Sequence, residues 1–202
     1  MPMPPGTDVL GLGLAAAATA ALLLRLPGVA QARKARPARL LIAALAIAVI
    51  PLGTLPAAAY VRGVVGDLSV TSMLLLLHGL FRPVLGWEAI GARSRLTVQA
   101  LVAAGGLLLY PLTLGLGPAD PYRPGFANPW FVGALLLLAT AAWLLRLHVV
   151  ASCIALAVLA WALGAYESRN LWDYLLDPLV SAWGLGALLT RGARAVAEAV
   201  RK

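Results

Sequence analysis

The chain has 202 residues, of which 61% are hydrophobic and 12% charged, and it carries a formal net charge of +8. So few charges cannot give the helices of a soluble domain this long a hydrated face each, which argues against an ordinary soluble fold. The basic residues gather at the ends of apolar runs rather than on one face, so membrane topology is the reading and nucleic-acid binding is not expected.

The opening MPMPPGTD has no basic n-region, and no small-residue cleavage site follows the apolar run behind it. The first span, 9–24, is therefore expected to be retained as a helix. It ends at Arg25 and Pro27 and leads into QARKARPAR (31–39), the densest basic run. Orienting the chain is the expected role of that run, with contact to anionic headgroups as an alternative. The second span, 40–60, carries Pro51 and Pro56 and is expected to kink where prolines free backbone carbonyls. The third, 68–86, has a short apolar core interrupted by Arg82 and Pro83; Arg82 is read as snorkelling to the headgroups, and a re-entrant helix is the alternative.

The fourth span, 97–117, is followed by the turn-rich loop PADPYRPGFANP. Asn128 then Pro129 reads as an N-cap with proline at the first helical position, opening a fifth span over 130–145. Arg146–His148 is a tight link into a sixth span, 149–166. The polar stretch ESRNLWDYLLDP (167–178) leads to a seventh, 179–190, and residues 191–202 form a basic tail expected to lie as a short helix on the inner surface. These runs are close to the ~20 residues that cross ~30 Å of hydrocarbon.

The expected fold is thus all-α: one polytopic integral membrane bundle over 1–202 with about seven transmembrane helices, the N-terminus outside and the C-terminus cytoplasmic. Of sixteen lysines and arginines, only Arg62, Arg123 and Arg169 then fall outside, as the positive-inside rule requires. Six of the eight acids (Asp8, Asp67, Asp120, Glu167, Asp173 and Asp177) fall outside too. Trp130 and Trp172 suit the outer interface and Trp87 and Trp143 the inner one, while Trp161 and Trp183 read as packing residues. The Ala- and Arg-rich composition suggests a bacterial inner membrane.

Three polar sets could carry chemistry. If the outer stretch were one helix, Asn170, Asp173, Tyr174 and Asp177 would share a face. Glu167, Asp173 and Asp177 could then bind a cation or act as acid and base, with Arg169 neutralising one carboxylate. Against this, Asn170 and Asp177 both stand where N-caps belong. In the second set, Asp67, Thr71, His78 and Arg82 fall within about 60° of one helical face. Intramembrane polar groups usually face a bundle interior, and His78 is the natural proton-responsive group. The third, Asp120, Tyr122 and Arg123, reads mainly as a loop turn on the same side as the first.

Neither His78 nor His148 belongs to an HExxH or histidine-rich pattern, and there is no P-loop, GxGxxG or GxSxG. No metal or cofactor is expected. Neither lysine lies in a span, against a Schiff-base chromophore, and the single Cys153 can form no internal disulfide. The leading expectation is a carrier or permease-like protein holding a polar or lipid-linked small molecule between the two larger sets. The alternatives are an accessory subunit of a membrane-protein complex and an enzyme acting on a lipid-linked substrate at the outer face.

Overall fold

The computed structural model describes residues 5–201, with side chains from Gly11 to Arg201. Lys202, counted among the inner cations, and the Asp8 carboxylate lie outside that description. The described residues are all-α apart from one two-residue-strand hairpin: α1 (Pro5–Leu23), α2 (Pro27–Ala35), α3 (Pro37–Val49), β1 (Pro51–Leu52), β2 (Leu55–Pro56), α4 (Ala57–Val65), α5 (Val70–Leu85), α6 (Ala92–Thr113), α7 (Pro129–Leu144), α8 (His148–Ala162), α9 (Leu171–Leu175) and α10 (Pro178–Val200).

Proline sets much of this punctuation. Leu26, Arg36, Asn128 and Asp177 each precede a proline, stand outside the helical region, and hand over to a helix with proline at its start. The Leu26–Pro27 step turns α1 into α2 through 96°. Pro51 ends α3 altogether. The chain makes an antiparallel hairpin, Pro51 opposite Pro56 and Leu52 opposite Leu55, turning at Gly53, whose φ of +75° suits only glycine without strain. The kinked helix expected over 40–60 is therefore two helices separated by a hairpin, because each proline removes a donor and the glycine between them reverses the chain.

Among the described residues one helix, α6, is long and apolar enough to cross a membrane, or two if the bent α1–α2 pair counts as one. Helices α3, α5, α7 and α8 are apolar but have 13 to 16 residues, or roughly 20–24 Å at 1.5 Å per residue. Seven continuous spans are thus not established, since most of the apolar helices fall short of the ~20 residues that such a crossing takes. The tail is not a separate surface helix. It continues α10 without a break to Val200.

The contacts gather into two compact units, residues 1–68 with 72–89 and residues 69–71 with 90–202. In the first, α1 packs on α3 and α4. Its alanines, among them Ala15, Ala16, Ala48 and Ala58, are buried and let the backbones approach. Leu24, Leu41 and Leu80 build the adjoining core. Pro83, inside α5, cannot donate to the Gly79 carbonyl. The Arg33 guanidinium donates to that oxygen at 2.8 Å instead, and to the Leu80 carbonyl at 3.2 Å.

In the second unit, α6 runs antiparallel to α10. A Cβ on Gly106 would meet Ser181 at 2.5 Å, and one on Gly184 would meet the Gln99 carbonyl oxygen at 2.7 Å, so both glycines are needed for the close crossing. Helices α7 and α8 pair through the expected tight link, where Arg146 takes a left-handed φ of +58°. Helix α9 packs on α8.

Candidate functional site

The outer polar stretch and the loop before α7 form one hydrogen-bonded knot in the second unit. Asp120 accepts from the backbone amides of Tyr122 and Arg123, which closes the turn. That turn presents the Tyr122 hydroxyl to Asp173, where it donates to both carboxylate oxygens at 3.0 and 2.8 Å. The Ser168 hydroxyl donates to the same carboxylate. Two further bonds fasten the loop from the other side, Asn170 Nδ2 to the Tyr122 carbonyl at 2.9 Å and Trp172 Nε1 to the Pro121 carbonyl at 2.8 Å. Gly125 fits because a side chain would not: a Cβ there would collide with Asn170 Oδ1.

Within the stretch itself, Asn170 Oδ1 caps α9 by accepting from the Trp172 amide. Tyr174 is fully buried and stacked on Tyr166. Its hydroxyl accepts from the Tyr166 amide at 3.0 Å and lies 3.0 Å from the Ser168 carbonyl. Burial raises its pKa above the ordinary phenol value. The Tyr122 phenol is pushed up to about 12, first by burial and then by its bond to the Asp173 carboxylate, which the phenolate would repel.

Asp177 is 7% exposed, and four donors reach it. Oδ1 accepts from the amides of Leu179 and Val180, both at 2.9 Å, and so caps α10. Oδ2 accepts from the Ser69 amide at 2.9 Å and the Ser69 hydroxyl at 2.7 Å. The carboxylate joins residues 108 apart in sequence and is buried without being left unpaired.

The single face expected for Asn170, Asp173, Tyr174 and Asp177 does not form. Helix α9 stops at Leu175, and Leu176 and Asp177 are extended, because Pro178 disfavours helix at the residue before it. Glu167 and Arg169 are exposed. Among the described residues Arg169 pairs with no carboxylate; only its backbone carbonyl is engaged, accepting from Trp161 Nε1. No three His, Cys, Asp or Glu side chains among the described residues converge on a metal position.

The α5 stripe also disperses. Asp67 precedes the helix and is ion-paired with Arg62 at 2.8 Å. His78 stacks on Trp87 with centroids 5.9 Å apart, and its buried Nε2 has no hydrogen-bond partner among the described residues. Arg82 is exposed. Only Thr71 comes together with the outer stretch. It lines an apolar cavity of about 300 Å³ whose walls are Val98, Leu101, Val102, Ala104, Gly105 and Leu108 of α6, Leu135 and Leu138 of α7, Val150, Cys153 and Ile154 of α8, and Trp172, Leu175 and Leu176. Thr71, Cys153 and Trp172 bring its only side-chain polar atoms, and the indole N–H of Trp172 is already committed to the knot.

Sequence reasoning missed Ser69, Ser168 and Gly125, and gave Tyr122 only a turn. Their roles depend on partners 5 to 108 residues away, and a serine or glycine carries no local mark of such pairing. The cavity was invisible too, since its walls read as ordinary span leucines and valines. Comparison of the chain with protein-family models, curated proteins and solved structures gives no match.

Proposed function

We propose that this is a small multi-pass protein of a bacterial inner membrane, carrier- or permease-like, that seats the hydrocarbon part of a lipid-like ligand in the cavity between α6, α7, α8 and α9. The observation that carries the reading is the cavity itself. At about 300 Å³ it lies at the lower end of the range for small-molecule sites, and its walls offer an alkyl chain contact without asking it to satisfy buried polar groups. Trp172 belongs to both the cavity wall and the knot, so the headgroup end of a ligand would meet Tyr122, Asp173 and Ser168. The membrane setting is supported by α7, which is apolar all round and leaves Leu136, Leu137 and Leu144 exposed.

The test is photo-crosslinking in native membranes with a lipid analogue carrying a diazirine on its acyl chain. Labelling of Leu135 and Ile154 is expected to saturate and to be competed by unlabelled lipid, whereas labelling of the exposed Leu137 grows linearly. Equal, non-saturable labelling at all three positions would overturn the reading. Filling the space with Ala104→Phe is expected to abolish the saturable component.

The accessory-subunit reading is favoured by Glu167 and Arg169, two exposed charges beside a rigid knot, and a stoichiometric partner after mild solubilisation would support it. Acid/base catalysis has the least support, because Asp173 and Asp177 already accept several internal hydrogen bonds each.

A further inference from the structure

We propose that the end of the second unit formed by the start of α6 and the last half of α10 is a binding surface for the phosphate of an anionic lipid. The antiparallel crossing fixes which residues share that end. Gly184 lies against Gln99, Val102 and Ala103, and Ser181 against Gly106, so about one turn back along α6 matches one turn forward along α10. Arg95 therefore lies level with about Arg191, and Arg93 with the turn that leads to Arg194. Arg93, Arg95 and Arg194 are exposed and Arg191 half-buried.

None of the four guanidiniums has a hydrogen bond or ion pair to another side chain among the described residues. Glu198, one turn beyond Arg194, is the only acid on α10, and α6 has none. Four cations held on two packed helices repel one another, and an anion placed among them removes that cost. Guanidinium is suited to phosphate because its donors form a planar fork.

The geometry favours a lipid over other phosphates. The arginines flank the apolar part of each helix: residues from Leu96 on α6 and up to Leu189 on α10 are largely hydrophobic. Leu96, Leu189, Val196 and Val200 are exposed beside the cations, so a phosphate at the arginines has apolar surface adjacent for its acyl chains. A nucleic acid would find no exposed aromatic residue on these two segments to stack on. This inference does not depend on the cavity.

The experiment uses the full-length protein in neutral detergent with short-chain phosphatidylglycerol, short-chain phosphatidylcholine and a single-stranded oligonucleotide as probes. Phosphatidylglycerol is expected to bind saturably, at least tenfold more tightly than phosphatidylcholine, and to weaken as salt is raised. The pair Arg95→Gln with Arg191→Gln is expected to lower that affinity at least tenfold, and the corresponding lysine pair to lose less. Helicity and elution volume, unchanged in both pairs, establish that they fold. Equal binding of the two lipids, tighter binding of the oligonucleotide, or an unchanged affinity in the glutamine pair (which would assign binding to the 31–39 basic run) would each overturn the proposal.

Discussion

The knot in the second unit and the polar residues along α5 look alike as sequence, each a few ionisable or hydroxyl groups at helical spacing between apolar runs. They end differently. In the knot, Tyr122, Ser168, Asn170 and Asp173 come from a loop and an irregular stretch and converge on one another. Along α5, Asp67 goes to Arg62, Thr71 to the cavity wall and His78 to Trp87, while Arg82 is exposed. Helical spacing puts side chains on one face. It does not give them a common partner, and only a second segment crossing that face does so.

The comparison is best broken at Gly125. Gly125→Ala drives a methyl into Asn170, and overpacking of this kind costs about 3 kcal/mol. The expected result is loss of the knot, read as a large fall in the melting temperature of the detergent-solubilised protein. Gly79→Ala on α5, where a Cβ meets nothing within 4 Å, is expected to leave stability unchanged or slightly raised. If the two variants melt alike, the loop is not anchored as described.

Asp177→Ala comes next. It removes the α10 cap and strands Ser69, at about 2–3 kcal/mol, while Asp67→Ala on the half-exposed Arg62 pair is expected to cost less than about 1 kcal/mol. Chemical denaturation of the two variants side by side measures the difference.

Asp173→Asn and Tyr122→Phe each break the charge-assisted bond between loop and stretch, at about 1.5–3 kcal/mol. The double variant is expected to cost less than the sum, because both remove one interaction. Alkaline pH tests the same bond. The Tyr122 phenol is raised from 10.0 to about 12 in the folded protein, so the native state keeps a proton that the unfolded state releases. Its contribution is complete below pH 10 and declines as pH rises from 10 towards 12. Tyr122→Phe is expected to flatten that part of the stability profile, and an unchanged profile would remove Tyr122 from the account.

The smallest effect expected is at Arg33. Arg33→Gln leaves the Gly79 carbonyl without its donor, at about 1 kcal/mol. In a Pro83→Ala background the new backbone N–H serves that carbonyl, and the Arg33 substitution is expected to become nearly silent. Equal effects in both backgrounds would mean that the arginine does not compensate the proline.

Much of the local structure was legible because its causes are local. Asn128 and Asp177 before proline marked two helix starts, and both side chains accept the amides that an N-cap should. The tight link at Arg146 was likewise readable from the distance between two apolar runs. Errors arose where a local rule had two outcomes. Two prolines in one apolar run permit a kink or a break, and Gly53 between them decided for a hairpin.

By itself, then, the sequence determined an all-helical chain, its composition and its proline-set boundaries, since each depends on residues within a turn or two of one another. Only the tertiary structure decided that Asp173 belongs to Tyr122, that Asp177 reaches back to Ser69, that Gly106 and Gly184 bring α6 onto α10, and that leucines and valines of three helices line one cavity. Those outcomes depend on which segments meet. Burial of apolar surface drives the meeting without direction, and the partners are selected afterwards by shape and by the need to satisfy every buried polar group.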